Sequence, residues 1–146
     1  MEVCTLVIDN GAYTMRAGLG GDGKPSCVMP TIIGKSKSSQ PSPKDLYIGS
    51  EVFNQSSALS IFCPIENRII TNFDDIEKIW SHILTTELKI VPEEHPILMT
   101  ESPQNTKAAR EKTLQIMMET FKIPAFYTTY PEVLSLYSVG LTTGLV

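Results

Sequence analysis

An α/β domain is the fold class this sequence predicts, on three observations. In the first 33 residues, short β-branched and aliphatic segments are separated by Asn-Gly and Gly-rich turns. Beyond residue 71, apolar side chains at helical spacing alternate with short strand-like runs. The length of 146 residues, 42% of them hydrophobic, is enough for one domain with its own core.

Val3 to Ile8 reads as a first strand, stopped by Asp9-Asn10-Gly11, where Asn-Gly favours a tight hairpin turn. Ala12 to Leu19 then alternates, with Tyr13, Met15, Ala17 and Leu19 on one face and Ala12, Thr14, Arg16 and Gly18 on the other. After a Gly-rich turn at residues 20–25, Ser26 to Ile33 supplies a third strand that Pro30 interrupts or places at an edge. Residues 34–45 are Ser/Pro-rich and polar, the composition of an exposed loop. Asp45 to Pro64 is weakly patterned, with a short strand at Leu46 to Ile48 and one helical turn near Glu51 to Asn54, which makes a minor lobe the expectation.

From Thr71 the spacing of Ile76, Ile79, Trp80, Ile83, Leu84 and Leu88 predicts an amphipathic helix of about 14 residues. Its first turn carries Asp74, Asp75 and Glu77, where the helix dipole favours acids; Asp74 and Asp75 read most simply as exposed. Pro96 to Thr100 is a short buried strand. Asn105 is positioned to cap a second helix with an apolar stripe of Leu114, Met117, Met118 and Phe121. Ile123 to Thr129 gives a last strand, and Pro131 opens a third helix that runs to Ser138. Three turn-linked strands followed by helix, strand, helix, strand and helix form the layout of a ribonuclease-H-like domain, with a mixed sheet of five strands whose last members run parallel.

Composition narrows the function. Twelve Lys plus Arg against sixteen Asp plus Glu leave a net charge of −4, so a nucleic-acid partner held by phosphate neutralisation is disfavoured. No apolar run approaches the ~20 residues of a bilayer span, and the start lacks a basic n-region, so no membrane role is expected and a soluble intracellular product is. Cys4, Cys27 and Cys63 are odd in number and far apart, which fits neither a disulfide framework nor a zinc site.

Gly18 to Gly23 matches G-x-G-x-x-G, but Lys24-Pro25 and Pro30 prevent a helix from following, so a tight turn is the expectation. The segment Asp9 to Arg16 carries the chemistry: a carboxylate ending a buried strand, a turn with outward amides and a returning cation suit a phosphate and its metal. An ordinary hairpin turn is the bland alternative. Glu101 closes a strand near Asp9, the placement of a metal-clamping carboxylate in a ribonuclease-H-like nuclease, with Glu77 the candidate third acid. An ion pair from Glu101 to Lys107 or Arg110 is the simpler expectation. His82 and His95 have no second ligand at metal spacing.

The blocks Leu6-Val7-Ile8-Asp9-Asn10-Gly11, Ala17-Gly18, Pro64-Ile65-Glu66, Ile69 to Trp80, Pro92 to Pro96, Thr100-Glu101-Ser102-Pro103, Arg110-Glu111-Lys112 and Val133 to Tyr137 resemble actin and actin-related proteins nearly end to end. That resemblance implies ATP or ADP with Mg²⁺ or Ca²⁺ in a cleft between two duplicated halves, of which this sequence resembles the first. It implies that Asp9 faces the metal through water, that Asn10 and the backbone of Gly11, Ala12, Tyr13 and Thr14 meet the phosphates, and that Arg16 stands where actin has a phosphate-contacting lysine. Residues 1–33 and 65–146 would form the large lobe, and 34–64 a small outer lobe with its filament-contacting loop at 34–45. Implied partners are actin or actin-like subunits and actin-binding proteins, in the cytoplasmic cytoskeleton or the nucleus.

Departures from the pattern shape the expected activity. Ala12 replaces a serine whose hydroxyl reaches the terminal phosphate, and Pro131 replaces the glutamine that orients the attacking water, so hydrolysis is expected to be weak or absent. The loop at 34–45 has lost its apolar tip, which weakens filament contacts, and Asn67 stands where actin has a modified histidine. Ending at Val146, before a second phosphate hairpin, the sequence is expected to supply one wall of the site and to leave apolar surface bare. A functional ATPase completed by a second half is the alternative, and the metal-dependent nuclease a remote one.

Overall fold

The computed structural model describes residues 4–37 and 45–146. Strands β1 (Leu6–Asp9), β2 (Thr14–Leu19) and β3 (Cys27–Pro30) form the antiparallel part of a five-stranded sheet of order β10-β9-β1-β2-β3. Strands β9 (Ile97–Thr100) and β10 (Phe126–Thr129) complete it, both parallel to β1. The alternation of apolar residues faces Leu6, Ile8, Met15, Ala17, Met29, Ile97 and Met99 to one side, where all are buried. On the other side Val28 and Tyr127 are exposed, so this is a sheet covered mainly on one face.

The third strand departs from expectation. The run from Ser26 to Ile33 divides after Pro30, and Ile33–Ser36 becomes β4 of a second sheet. Pro30 lacks an N–H for a continued ladder, and the chain leaves the edge strand there. The second sheet, β5-β4-β6, uses β5 (Leu46–Ile48) and β6 (Leu59–Phe62), with helix α1 (Glu51–Asn54) between them. The expected loop at 34–45 therefore begins as strand up to Ser36, and its segment 38–44 lies outside the described residues. The two-stranded hairpin of β7 (Ile65–Glu66) and β8 (Ile69–Ile70) leads back to the main sheet. It turns through Asn67 and Arg68, at φ 49° and 65°.

Helix α2 (Phe73–His82) continues as a wider π-helical segment at Ile83–Glu87, so the helical run spans the predicted length. Ile76, Ile79, Trp80, Ile83 and Leu84 are fully buried against the sheet. Each such side chain contributes about 1.5–3 kcal/mol of hydrophobic stabilisation. Helix α3 (Lys107–Gln115) likewise continues as π-helix, Ile116–Thr120. Two expectations fail here. Thr106, not Asn105, caps α3, accepting the Ala109 amide on its hydroxyl, because the Asn105 side chain is drawn away to Glu101. The predicted stripe is rotated: Ala109, Thr113, Ile116 and Met117 are buried while Leu114 and Met118 are exposed. Helix α4 (Pro131–Ser138) opens with proline as expected and buries no residue fully.

Asp75 is the other correction. Expected on the surface, its side chain is 2% exposed. The carboxylate accepts from Lys35 Nζ (2.8 Å), Lys78 Nζ (3.3 Å) and Asn72 Nδ2 (3.0 Å), while Asn72 Oδ1 accepts the Asp75 amide and caps α2. Lys35 belongs to β4, so this acid joins the second sheet to the main helix. Lys35 also sits over the Phe62 ring, 4.9 Å from its centre.

Burial raises the Asp75 carboxyl, but the hydrogen bonds and charges of Lys35 and Lys78 outweigh it and hold the group below its ordinary value. A depressed folded pKa gives stability that is complete above the unfolded value of about 3.9 and is lost as pH falls through the lower folded value. Asp75→Asn is expected to cost about 2 kcal/mol at pH 7 and to flatten the loss of stability on acidification, both read from urea unfolding at pH 3 to 7. Cys27 gives a second check. Burial, aided by the Glu87 charge, pushes its thiol up to about 11, whereas Cys4 and Cys63 are exposed. A thiol reagent at pH 8 should modify Cys4 and Cys63 promptly and Cys27 only on unfolding.

Candidate functional site

Asp9 ends the central strand β1, and the parallel pairing of Ile8 with Met99 brings it level with Thr100 at the end of β9. The Thr100 hydroxyl donates to Asp9 Oδ1 (2.8 Å) and accepts from the Asn10 amide (2.9 Å). One buried side chain thus orients the carboxylate and fixes the start of the turn. Asn10 Oδ1 in turn accepts the indole N–H of Trp80 at 3.1 Å, anchoring the turn to the core helix α2.

Gly11 is required by space, since a Cβ there would collide with the Thr14 carbonyl oxygen. Its amide donates to the Asp9 carbonyl (3.0 Å), and its own carbonyl accepts the Thr31 hydroxyl (2.7 Å). The Thr31 amide donates to the Tyr13 carbonyl at 3.1 Å. Thr100, Trp80 and Thr31 therefore hold the turn from three sides, while the Tyr13 side chain stands in solvent. Thr14 starts β2, and Arg16 pairs across the ladder with Asp9, Nη1 to Oδ2 at 3.1 Å. That pair is exposed and contributes no more than about 1 kcal/mol.

A cleft of about 140 Å³ opens beside the turn, lined by residues 9–12, 100–102, Arg68 and Pro131. Its volume equals that of about four or five water molecules. Arg16 lies outside it and borders a second depression of about 360 Å³ with the Gly-rich turn at 18–25; Asp9 borders both. The G-x-G-x-x-G segment leads into β3 and opens no helix.

Glu101 is satisfied by neighbours. Arg110 Nε donates to both its oxygens (2.9 and 3.1 Å), joined by Asn105 Nδ2 (3.0 Å) and the Thr128 hydroxyl (3.2 Å). Burial raises this carboxyl, but the bonds from Arg110 and Asn105 prevail and hold it below the ordinary range. The simple expectation of an ion pair to Arg110 is met, and a carboxylate so occupied has little left for a metal. His82 Nε2 pairs with Glu87 (3.2 Å) and His95 Nδ1 meets the Cys4 carbonyl (2.9 Å), and neither histidine lines the cleft. Among the described residues, no group of three His, Cys, Asp or Glu gathers at metal-ligand range.

Arg68 was not singled out by sequence. Its Nη2 donates to Glu132 Oε1 at 3.0 Å, 64 residues away, linking the β7–β8 turn to the first turn of α4. The Glu132 carboxyl is held below its ordinary value by its own backbone amide and by Arg68. The chain has three arginines, Arg16, Arg68 and Arg110, and each pairs with a carboxylate at or beside this cleft. No periodicity announces Arg68. The only signal was the choice of Arg over the more numerous Lys at three scattered positions, which suits fork-like pairing with carboxylate or phosphate. Thr100 was legible as a strand end but not as the partner of Asp9 and Asn10, which needs the register.

Replacing Thr100 by Val keeps the shape but strands Asp9 Oδ1 and the Asn10 amide. Thr100→Val is expected to lower stability by about 2 kcal/mol and Thr100→Ser by less, measured by chemical denaturation. A family model for actin matches residues 1–146, the whole chain, in agreement with the mixed five-stranded sheet and its helices, and the chain belongs to the actin family.

Proposed function

We propose that this chain is an actin-like cytoskeletal domain carrying one wall of an ATP–metal cleft, with little or no ATP hydrolysis and weakened filament assembly. The observation that carries the proposal is the Asp9 turn: a carboxylate aimed by Thr100 beside a clamped, Gly-dependent backbone, opening on a cleft of about 140 Å³. The donor chemistry fits. A carboxylate with one oxygen fixed from behind suits a hydrated Mg²⁺ or Ca²⁺, and Arg16 and Arg68 flank it with guanidinium groups suited to phosphate. When bound, the metal would neutralise phosphate charge. The chain's own residues orient the carboxylate through Thr100 and present backbone from Ala12 and Tyr13 beside Asn10 and Gly11.

Weak hydrolysis follows from two side chains. Ala12 offers no hydroxyl, and Pro131, at the cleft edge, has no donor or acceptor to hold a water in line. Actin or actin-like subunits and actin-binding proteins are the proposed partners, in the cytoplasm or nucleus, with residues 34–64 as the outer lobe. With one wall only, nucleotide affinity should be low, and a second half supplied by further chain or by a partner would raise it.

Trp80, the only tryptophan, touches Asn10 and so reports on the turn. Titration with Mg·ATP should change its fluorescence with a Kd about 1 mM, or about −4 kcal/mol, and Asp9→Asn should weaken binding at least about tenfold, about 1.4 kcal/mol. Phosphate release should not exceed the buffer rate, and salt should produce no sedimenting filaments. No response to nucleotide would remove the cleft proposal, and robust turnover or filaments would overturn the claim of weak catalysis and assembly.

A further inference from the structure

We infer that Arg68 supplies a guanidinium to the phosphate chain of the ligand in this cleft, in addition to Arg16, and that Glu132 holds it ready until the anion arrives. The inference rests on the nucleotide proposal above and assigns a residue to it. Among the residues lining the 140 Å³ cleft, Arg68 is the cation, whereas Arg16 faces the depression on the other flank of Asp9. The other side-chain donors there, the Asn10 amide and the Ser102 and Thr100 hydroxyls, carry no charge to set against a phosphate. The Thr100 hydroxyl donates to Asp9, the Glu101 carboxylate only accepts, and Ala12 and Pro131 have no donor at all. Arg68 brings a fork of N–H groups, one of which serves Glu132.

The Glu132 contact is suited to exchange. It is a single 3.0 Å bond between half-exposed side chains, and it uses one carboxylate oxygen while Oε2 is buried without a partner. A pair of this kind is weak, and a multiply charged phosphate offers the guanidinium two parallel bonds in place of one. The backbone adds a second line of support. Arg68 sits at φ 65°, a conformation that glycine adopts freely, so a large side chain is carried at a position whose geometry does not call for one.

That backbone also separates binding from folding. Arg68→Gly relieves the positive φ, so its melting temperature should equal or exceed that of the unmodified protein, while its affinity for Mg·ATP and for Mg·tripolyphosphate should fall at least about tenfold. Adenosine binding should be unchanged. Arg68→Lys should keep part of the affinity, and Glu132→Gln, which frees the guanidinium, should tighten tripolyphosphate a few-fold, all read by Trp80 fluorescence and calorimetry. If unmodified protein binds Mg·ATP and Arg68→Gly binds it equally well, or loses ATP but not tripolyphosphate, Arg68 has no phosphate role and the nucleotide proposal stands without it. If unmodified protein binds neither ligand, the nucleotide proposal falls and this inference with it. Inorganic phosphate binding as tightly as Mg·ATP would assign Arg68 to a small-anion site and overturn it.

Discussion

The hydroxyl of Thr100 ties together the parts on which the site depends. It is donor to the Asp9 carboxylate and acceptor for the Asn10 amide, so it joins the end of β9 to the end of β1 at the point where the chain reverses. This bond exists only in one register. With the period of two along a strand, a slip by one residue would turn Thr100 away and bring the neighbouring side chain forward. The packing of Ile97 and Met99 on the buried face fixes that register from below. Core hydrophobicity therefore sets, at no separate cost, the position of a polar group at the strand end.

A second constraint attaches the outer sheet. Ile33 enters the main core, Lys35 reaches the buried Asp75 of α2, and Gly49, at φ 62°, comes so close to Met29 that a Cβ would lie 2.5 Å from its terminal methyl. These contacts span both ends of β4 and the strand that follows it. Residues 33–36 and 45–62 are held against the five-stranded sheet by apolar packing of Ile33, Leu46 and Ile48, by the Lys35–Asp75 ion pair and by the close approach of Gly49 to Met29, and the Asn72 side chain that caps α2 donates to the same Asp75 oxygen as Lys35. The orientation of the outer sheet and the start of α2 are consequently coupled, and α2 carries Trp80, which touches Asn10 at the cleft.

Much of the main sheet was legible because its signals are local. The Asn-Gly turn, the alternation through Met15 and Ala17, and the helical spacing from Ile76 to Leu84 each reflect a period that the sequence displays directly. The split of the third strand was not, because Pro30 marks a break without saying which sheet receives Ile33. Asp75 looked like a surface acid because its partner Lys35 is 40 residues away, and the cap of α3 was misplaced by one residue because Asn105 found a better acceptor in Glu101. At the site, Asp9 and Gly11 stood out as strand end and turn, whereas Thr100, Trp80 and Arg68 act across distances of 90, 70 and 64 residues, which no spacing rule can cover.

The charge arrangement around the cleft gives a reason for the metal that the family resemblance implies. Asp9, Glu101 and Glu132 contribute three negative charges, and Arg16, Arg110 and Arg68 answer them one for one. The site is therefore close to neutral before any ligand enters, in a chain whose net charge is −4. A polyphosphate entering alone would have to take guanidinium groups from carboxylates, leaving those acids unpaired and near its own charge. Glu101 would be the costliest to strip, being the most buried of the three and held by Arg110 together with Asn105 and Thr128, so Arg110 stays where it is. Asp9 and Glu132 are more exposed and hold their arginines by one bond each, which makes Arg16 and Arg68 the exchangeable cations. Under the proposed function, an Arg16 that turned to phosphate would leave the Asp9 carboxylate in need of a new counter-charge, which a hydrated divalent cation bound with the polyphosphate would supply. Metal and phosphate would then enter together, each making room for the other.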